Sequence, residues 1–356
     1  MDKEDFDYVA LKTFNINDIS MSNYDIDNST IKKKNGDIYI KLIGKEEFEG
    51  YKCIGTINNL NCREKRACTT LKALTQGTTY VSGQYTYTYN GSTGWSVVLT
   101  DKESTDPVTT ELCETVNDKP IVSMDRMFIR SKAESIDTSS FDTSNVTDMG
   151  EMFSKSVATE IRGLENFDTH NVVNIERMFY ESAATSLNLS SFDTSNVTNM
   201  EGMFIRSKAT SLDLSSFDTS NVTDMSFMFL SSAATTIKGL EKFNTSNVTD
   251  MNAMFQNSTA TSLDLRSFDT SKVTNMSGMF LSSAAIEIKG LENFNTSKVT
   301  NMGSMFCLSK VLTIDLSNFD TSNVTDMGEM FVSSAATTIK GLENFDTSKV
   351  TNMKSM

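Results

Sequence analysis

From residue 122 onward, hydrophobic and polar positions recur in a fixed order, and each unit of that order predicts three elements. The first is a short alternating run, seen as SLNL (186–189), SLDL (211–214), SLDL (262–265) and TIDL (313–316). Its apolar residues are two apart, which is strand spacing. The second is the turn FDTSN, whose Asp or Asn can accept a hydrogen bond from the backbone two residues on. The third is M-x-x-M-F, with apolar groups at i, i+3 and i+4, the face of a helical turn. Small residues such as SSAAT follow, suited to a close return past a neighbouring unit.

The period is short and regular. One Phe column runs Phe128, Phe153, Phe179, Phe204, Phe229, Phe255, Phe280, Phe306 and Phe331, in steps of 25 or 26 residues. Of the 21 methionines, 19 fall in two columns of this pattern, and of the 22 phenylalanines 18 fall in two more. An apolar face of that size cannot be buried within one unit, so copies must stack into a continuous core. Fixed Met columns beside a fixed Phe read as core rather than as a promiscuous Met-rich surface. The 26-residue copies carry IKGLENF-type segments where the others carry LDLSSF. Their extra residue and its glycine (Gly163, Gly239, Gly290, Gly341) suggest a bulge or wider corner. Long and short copies mostly alternate, with one slip, so partial organisation in pairs is expected.

The first part of the chain is different. Both prolines (Pro107, Pro120) and the single Trp95 precede residue 122. We therefore divide the chain into residues 1–121, a small mainly-β N-terminal domain, and 122–356, a repeat solenoid of about nine units. TTYVSGQYTYTYNGSTGWSVVLT (78–100) alternates around Asn90-Gly91, a strong hairpin signal. Tyr85, Tyr87 and Tyr89 share one face of that hairpin, and such a stripe either stacks on a ligand or packs on its own domain. CREKRACTTLKAL (62–74) reads as a short helix or loop, and residues 1–75 suggest no fold. The chain stops at Met356 inside M-x-x-M-F, so the expectation is a solenoid truncated within a repeat, with more coils, a cap and an anchor lying beyond it.

The repeat xLDLSxFDTSNVTNMxxMFxxSxA resembles that of the BspA-like leucine-rich-repeat surface proteins, and the segment leading into it resembles the stretch that often precedes such arrays. The resemblance covers about 122–356. It implies a right-handed, leucine-rich-repeat-like solenoid, to which the spacing adds one short strand and one helical turn per coil. It also implies a bacterial cell-surface or secreted adhesin or interaction module, with no catalytic residue. The sequence departs from the common pattern at the segment after MF, which is SSAA, SKAT or STAT here.

Charge and candidate chemistry narrow the function further. The formal net charge is −14, which argues against nucleic acid and against an anionic membrane surface. No apolar run is long enough to span a bilayer, and the N-terminus is no signal peptide. Cys53, Cys62, Cys68 and Cys113 could form two disulfides in any of three connectivities or remain thiols, and Cys307 stands alone among the repeats. No zinc-type cysteine spacing, phosphate-binding loop, dinucleotide fingerprint or nucleophile elbow is present. No cofactor or metal is expected, and the chain does not read as an enzyme.

Specificity then falls to residues that break the columns on exposed positions. Phe227, Tyr180, His170 and Arg177 are candidate ligand contacts on the repeats, with Tyr85, Tyr87 and Tyr89 on the hairpin. The partner is expected to be a protein or a glycan, bound to a stiff acidic surface. Ice or crystal binding through the Thr ladders of T-S-N-V-T, and a carbohydrate-active solenoid enzyme, are the alternatives.

Overall fold

The computed structural model describes residues 66–70 and 73–356 in full, and five earlier strands by their backbone. The chain forms two compact units, one of residues 1–71 with 111–118 and one of 72–110 with 119–356. Composition changes at residue 121, where the repeats start. Residues 72–110, however, belong to the same unit as the coils.

In the first unit, strands Tyr24–Ile26 (β1), Lys32–Lys34 (β2), Asp37–Gly44 (β3), Tyr51–Thr56 (β4) and Asn59–Glu64 (β5) form one sheet. The order is β1-β3-β4-β5, with β2 also pairing β3, and all pairings are antiparallel. Cys53 and Cys62 are register partners in β4 and β5. Ala67–Cys68 (β6) runs as a strand where the sequence suggested a helix or loop, and it pairs in parallel with Thr115–Val116 (β10). Beside that pairing, Cys68 and Cys113 form a disulfide.

The second unit begins with the expected hairpin, Thr79–Ser82 (β7) and Tyr85–Tyr89 (β8), followed by Trp95–Leu99 (β9), which pairs β8. Lys119–Ser123 (β11) pairs β9 in parallel and leads directly into the repeats. The start of the solenoid is thereby capped. Leu99 donates its N–H to the Met127 carbonyl, and the Tyr85 ring stands edge-on to Phe141 at 5.9 Å. Tyr85 and Tyr87 are 0 % exposed. The tyrosine stripe packs on its own unit, so these two residues are core and not ligand contacts.

From Ser123 the chain winds as a β-solenoid of about ten turns. Ten successive positions, Ser123, Asp148, Asn174, Asn199, Asp224, Asp250, Asn275, Asn301, Asp326 and Asn352, bridge one another in parallel. We number the coils one to nine by the Phe column from Phe128 to Phe331. Strands Ser135–Asp137 (β12), Glu160–Arg162 (β13), Ser211–Asp213 (β14), Thr236–Lys238 (β15), Ser262–Asp264 (β16), Glu287–Lys289 (β17), Thr313–Asp315 (β18) and Thr338–Lys340 (β19) pair two by two. In each pair the LDLSSF-type coil precedes the IKGLENF-type coil, which is the partial pairing expected from the alternation. The run at 186–189, where two short copies adjoin, has no ladder.

The glycines explain the pairing. Gly163, Gly239, Gly290 and Gly341 all have φ near +90°, and a Cβ on any of them would come within 2.3–2.6 Å of the preceding coil's backbone. Only glycine can hold a left-handed corner that close to another chain segment. The expected wider corner is therefore a left-handed residue followed by one short 3-10 turn, as in Leu240–Lys242.

One expectation fails. M-x-x-M-F is not a helical turn but a run of β-turns, and almost no helix exists among the described residues. In coil five, Met228, Leu230 and Ser232 donate their N–H groups back to the carbonyls of Met225, Phe227 and Phe229. The intervening N–H groups of Met225, Phe227, Phe229 and Ser231 donate to Asp250, Asn252, Met254 and Gln256 of the next coil. An α-helix would spend every N–H inside the coil and leave neighbouring coils without backbone bonds. Positive φ at Phe227 (58°) and Ser231 (53°) closes the turns. The inward face survives the change: Met225, Met228 and Phe229 are all 0 % exposed. The Phe column stacks with ring centroids 5.3–5.9 Å apart from Phe128 to Phe331.

Candidate functional site

Two columns of every coil carry positive φ, and both lie on the turn-built side. The first column is Arg126, Glu151, Arg177, Gly202, Phe227, Ala253, Gly278, Ser304 and Glu329, and the second runs from Arg130 to Ser333. Coils six to nine fill these places mainly with small or neutral residues: Ala253, Gly278 and Ser304 in the first column, Asn257, Ser282 and Ser333 in the second. Coils one to five fill most of them with Arg, Lys, Glu and Phe, with Gly202 and Ser231 the exceptions. This difference makes a groove of about 400 Å³ over coils one to five, walled by Ile129, Tyr180, Ile205, Phe227 and Leu230 and by the charged Arg130, Glu151, Lys155, Arg177 and Arg206.

Charge in the groove is unevenly matched. Arg126 bonds Glu151 at 2.8 Å, and Arg177 bonds Glu201 at 2.5 Å with Glu176 at 3.4 Å. Glu181 serves two cations, Arg206 at 2.8 Å and Lys155 at 3.8 Å. The Arg206 hydrogen bond holds the Glu181 carboxyl below its usual range. Lys155 also lies over the Tyr180 ring, 5.2 Å from its centroid. Burial, and then Glu181, push the Tyr180 hydroxyl up, so it stays protonated and able to donate. Burial also raises Glu176, with the neighbouring Glu201 adding to the effect. No carboxylate pairs with Arg130 among the described residues.

Phe227, Tyr180 and Arg177 are thus brought together by the fold. His170 is not: it sits in the FDTSN-type corner, its Nδ1 2.6 Å from Asp168 Oδ1. Tyr89 is half-buried against Trp95, centroids 5.1 Å apart. Sequence reading passed over Arg130, Lys155 and Arg206. The signal was there, in the position two after MF: Arg130, Lys155, Glu181 and Arg206 precede Ser231, Asn257, Ser282, Leu308 and Ser333.

The remaining polar columns are structural. In the FDTSN corner each Asp or Asn accepts from the N–H two residues on, as Asp218 does from Ser220 at 2.9 Å. A second column repeats the device one corner later, as Asp224 accepts from Ser226 at 2.8 Å. The first Thr of T-S-N-V-T is buried and bonds the next coil's carbonyl, as Thr219 does to Asn244 at 2.9 Å. Only the second Thr, such as Thr223, is exposed. Among the described residues no group of His, Cys, Asp and Glu could hold a metal, and no helix is long and apolar enough to cross a membrane.

Stacked coils with one variegated face define a β-solenoid repeat protein. The chain belongs to the family described as "Mycoplasma protein of unknown function, DUF285", which matches residues 104–217, 156–262, 207–289, 230–338 and 281–356. No curated protein matches the chain. Among solved structures it is similar to a leucine rich cell surface protein from Faecalibacterium prausnitzii, at 14% identity over 78% of this chain and 98% of that one. The TM-score of that superposition is 0.20, too low to carry an argument.

Proposed function

We propose that this chain is a bacterial cell-surface or secreted interaction protein, an adhesin-type module that works by binding a protein or glycan on one face. The single observation behind the reading is where the repeat stops being uniform. Large and charged side chains take most places in the two left-handed columns over coils one to five, and six of them, Arg130, Glu151, Lys155, Arg177, Arg206 and Phe227, line one groove. Stacking does not require them, because coils six to nine close with Ala, Gly, Ser and Asn at every place in these columns except Leu308 and Glu329. The Cys68–Cys113 disulfide supports an oxidising, extracellular compartment. The BspA-like, right-handed, leucine-rich-repeat-like character of the coil belongs to the same reading. It assigns no catalytic residue and no cofactor.

Ice binding needs a flat array of exposed Thr, and burial of the column from Thr143 to Thr321 removes half of it. The test of binding is a screen of the whole chain against immobilised host proteins and glycans, alongside a Tyr180→Leu/Phe227→Gly variant. Loss of the hits in the variant is expected. Hits that survive it unchanged, or glycans released as cleaved products, would sink this reading.

A further inference from the structure

We propose that the groove over coils one to five takes an extended peptide segment with a carboxylate toward coils one and two and apolar side chains toward coils four and five. The inference rests on the interaction reading above and names the ligand chemistry of that site. Of the three cations Arg130, Lys155 and Arg206, the last two share the carboxylate of Glu181, and no ion pair holds Arg130 among the described residues. Glu151 is already taken by Arg126 and Glu201 by Arg177. The unmatched positive charge therefore lies at the Arg130–Lys155 end, on a chain whose net charge is −14. A ligand carboxylate is drawn to that end and discouraged elsewhere on the protein.

The other end has the opposite chemistry. Ile205, Phe227 and Leu230 wall it, and hydrocarbon there is removed from water only by an apolar side chain. A sugar would bring hydroxyls to the aliphatic carbons of Ile205 and Leu230, which offer them no hydrogen bond. A bare alkyl chain would desolvate the ion pairs Arg177–Glu201 and Arg206–Glu181, whereas peptide N–H and C=O groups can bond to them. Five coils at one strand spacing of about 4.8 Å make a groove about 19 Å long, the span of roughly six extended residues. Phe227 itself is held at φ 58°, in a column where Gly202 and Gly278 show that glycine suffices. An aromatic kept in that conformation beside a groove points to use rather than to folding.

Fluorescence anisotropy of the whole chain tests this with four labelled probes. They are octapeptide pools combining Asp/Glu at one end with Leu/Ile/Phe at the other, the same pools with Lys for Asp/Glu, a sialylated oligosaccharide, and decanoate. We expect the acidic–apolar pool to bind best. Arg130→Ser, with Ser231, Ser282 and Ser333 as precedents in its column, should weaken that pool more than tenfold and leave unfolding unchanged. Phe227→Gly should weaken the acidic and the Lys pools alike. Preference for the Lys pool, the oligosaccharide or decanoate, binding indifferent to both variants, or no peptide binding at all overturns the inference. If the protein and glycan screen succeeds while every peptide pool fails, the groove assignment falls and the interaction reading stands. If the acidic–apolar pool binds while the screen stays blank, the groove assignment stands and the choice of a host protein or glycan falls.

Discussion

Gly239 lies so close to the backbone of Leu214 that a Cβ on it would come within 2.6 Å of the Leu214 carbonyl carbon. Its φ of +95° is closed to other residues at little strain. Two penalties therefore add in Gly239→Ala, a left-handed alanine and a backbone collision that no side chain can relieve. Together they should destabilise the chain by roughly 2–4 kcal/mol. Gly202→Ala is the control. Its φ is +59°, its nearest neighbour is the movable Cδ1 of Ile205, and Ala253 already stands in its column, so about 1 kcal/mol is expected. Urea unfolding of both variants decides, and equal losses would mean that the corner does not set the coil pairing.

Phe227 and Phe229 are two residues apart and should behave oppositely. Phe229 is 0 % exposed and stacked between Phe204 and Phe255, at 5.7 and 5.4 Å. Phe229→Ala opens a cavity in a central coil and should cost about 3–5 kcal/mol. Phe227→Gly removes a half-buried side chain and relieves its left-handed strain, against the unfolded-state entropy of glycine. The strain relief returns about 1 kcal/mol, and the lost half-burial and the glycine entropy each cost about that much, so a net loss of only about 1 kcal/mol is expected. A large loss at Phe227 with silence at Phe229 would reverse the assignment of core and groove.

What the residues disclosed, and what they concealed, follows from the same chemistry. Met225, Met228 and Phe229 were legible as an inward face because apolar spacing alone decides which side chains are buried. The backbone beneath them was not legible, since i, i+3, i+4 spacing suits a helical turn and a run of β-turns equally. Only the destination of the Phe227 and Phe229 N–H groups, in the next coil, separates the two. Tyr180, Arg177 and Phe227 stood out as breaks in their columns. Arg130, Lys155 and Arg206 read singly as solvated surface charges, and become a cluster only when stacking brings residues 25 or 26 apart side by side. The tyrosine stripe left two readings open, and burial of Tyr85 and Tyr87 settled it. Among the candidate cysteine pairings the structure shows Cys68–Cys113, and Cys53 stands opposite Cys62 in the backbone register.

The two Thr columns give a second contrast. Thr143 Oγ1 donates to the Asp168 carbonyl at 2.9 Å and accepts from the Asp168 N–H at 2.8 Å, and Thr143 is buried. Thr143→Val leaves both backbone groups without that partner, a loss of about 1–3 kcal/mol for each group left unsatisfied. Thr223 is exposed, and Val173 already occupies its column, so Thr223→Val should be nearly silent. Thermal melts of the two variants test whether the buried column joins the coils. Similar melting points would show that water replaces the Thr143 hydroxyl.

The Asp and Asn column from Asp148 to Asn352 makes stability depend on pH in a predictable direction. Where Asn follows Asp, its amide donates back to the carboxylate, as Asn174 does to Asp148 at 3.0 Å and Asn352 to Asp326 at 2.9 Å. Asp250 instead follows Asp224, and burial raises its pKa above the ordinary 3.8, with the Asp224 charge adding to the effect. An acid with a raised folded pKa binds its proton more tightly in the folded chain. Its contribution is present below pH 3.8 and is lost as pH rises through the folded value. Asp213, Asp269 and Asp320 have the opposite sign. Hydrogen bonds from Ser215, Ser271 and Ser322 lower their pKa values, so their contribution is lost as pH falls. Asp250→Asn removes the buried charge, and its amide can donate to Asp224 as Asn174 does to Asp148. The variant should therefore be more stable at pH 7, on the order of 1 kcal/mol once solvent screening is allowed for. That advantage should shrink to nothing as the wild-type carboxyl protonates. Melting curves between about pH 3 and pH 7 show the two lines converging on the acid side if the direction of the Asp250 shift is right. A variant weaker than wild type at pH 7 would mean that the carboxylate, and not a neutral amide, is what that coil needs.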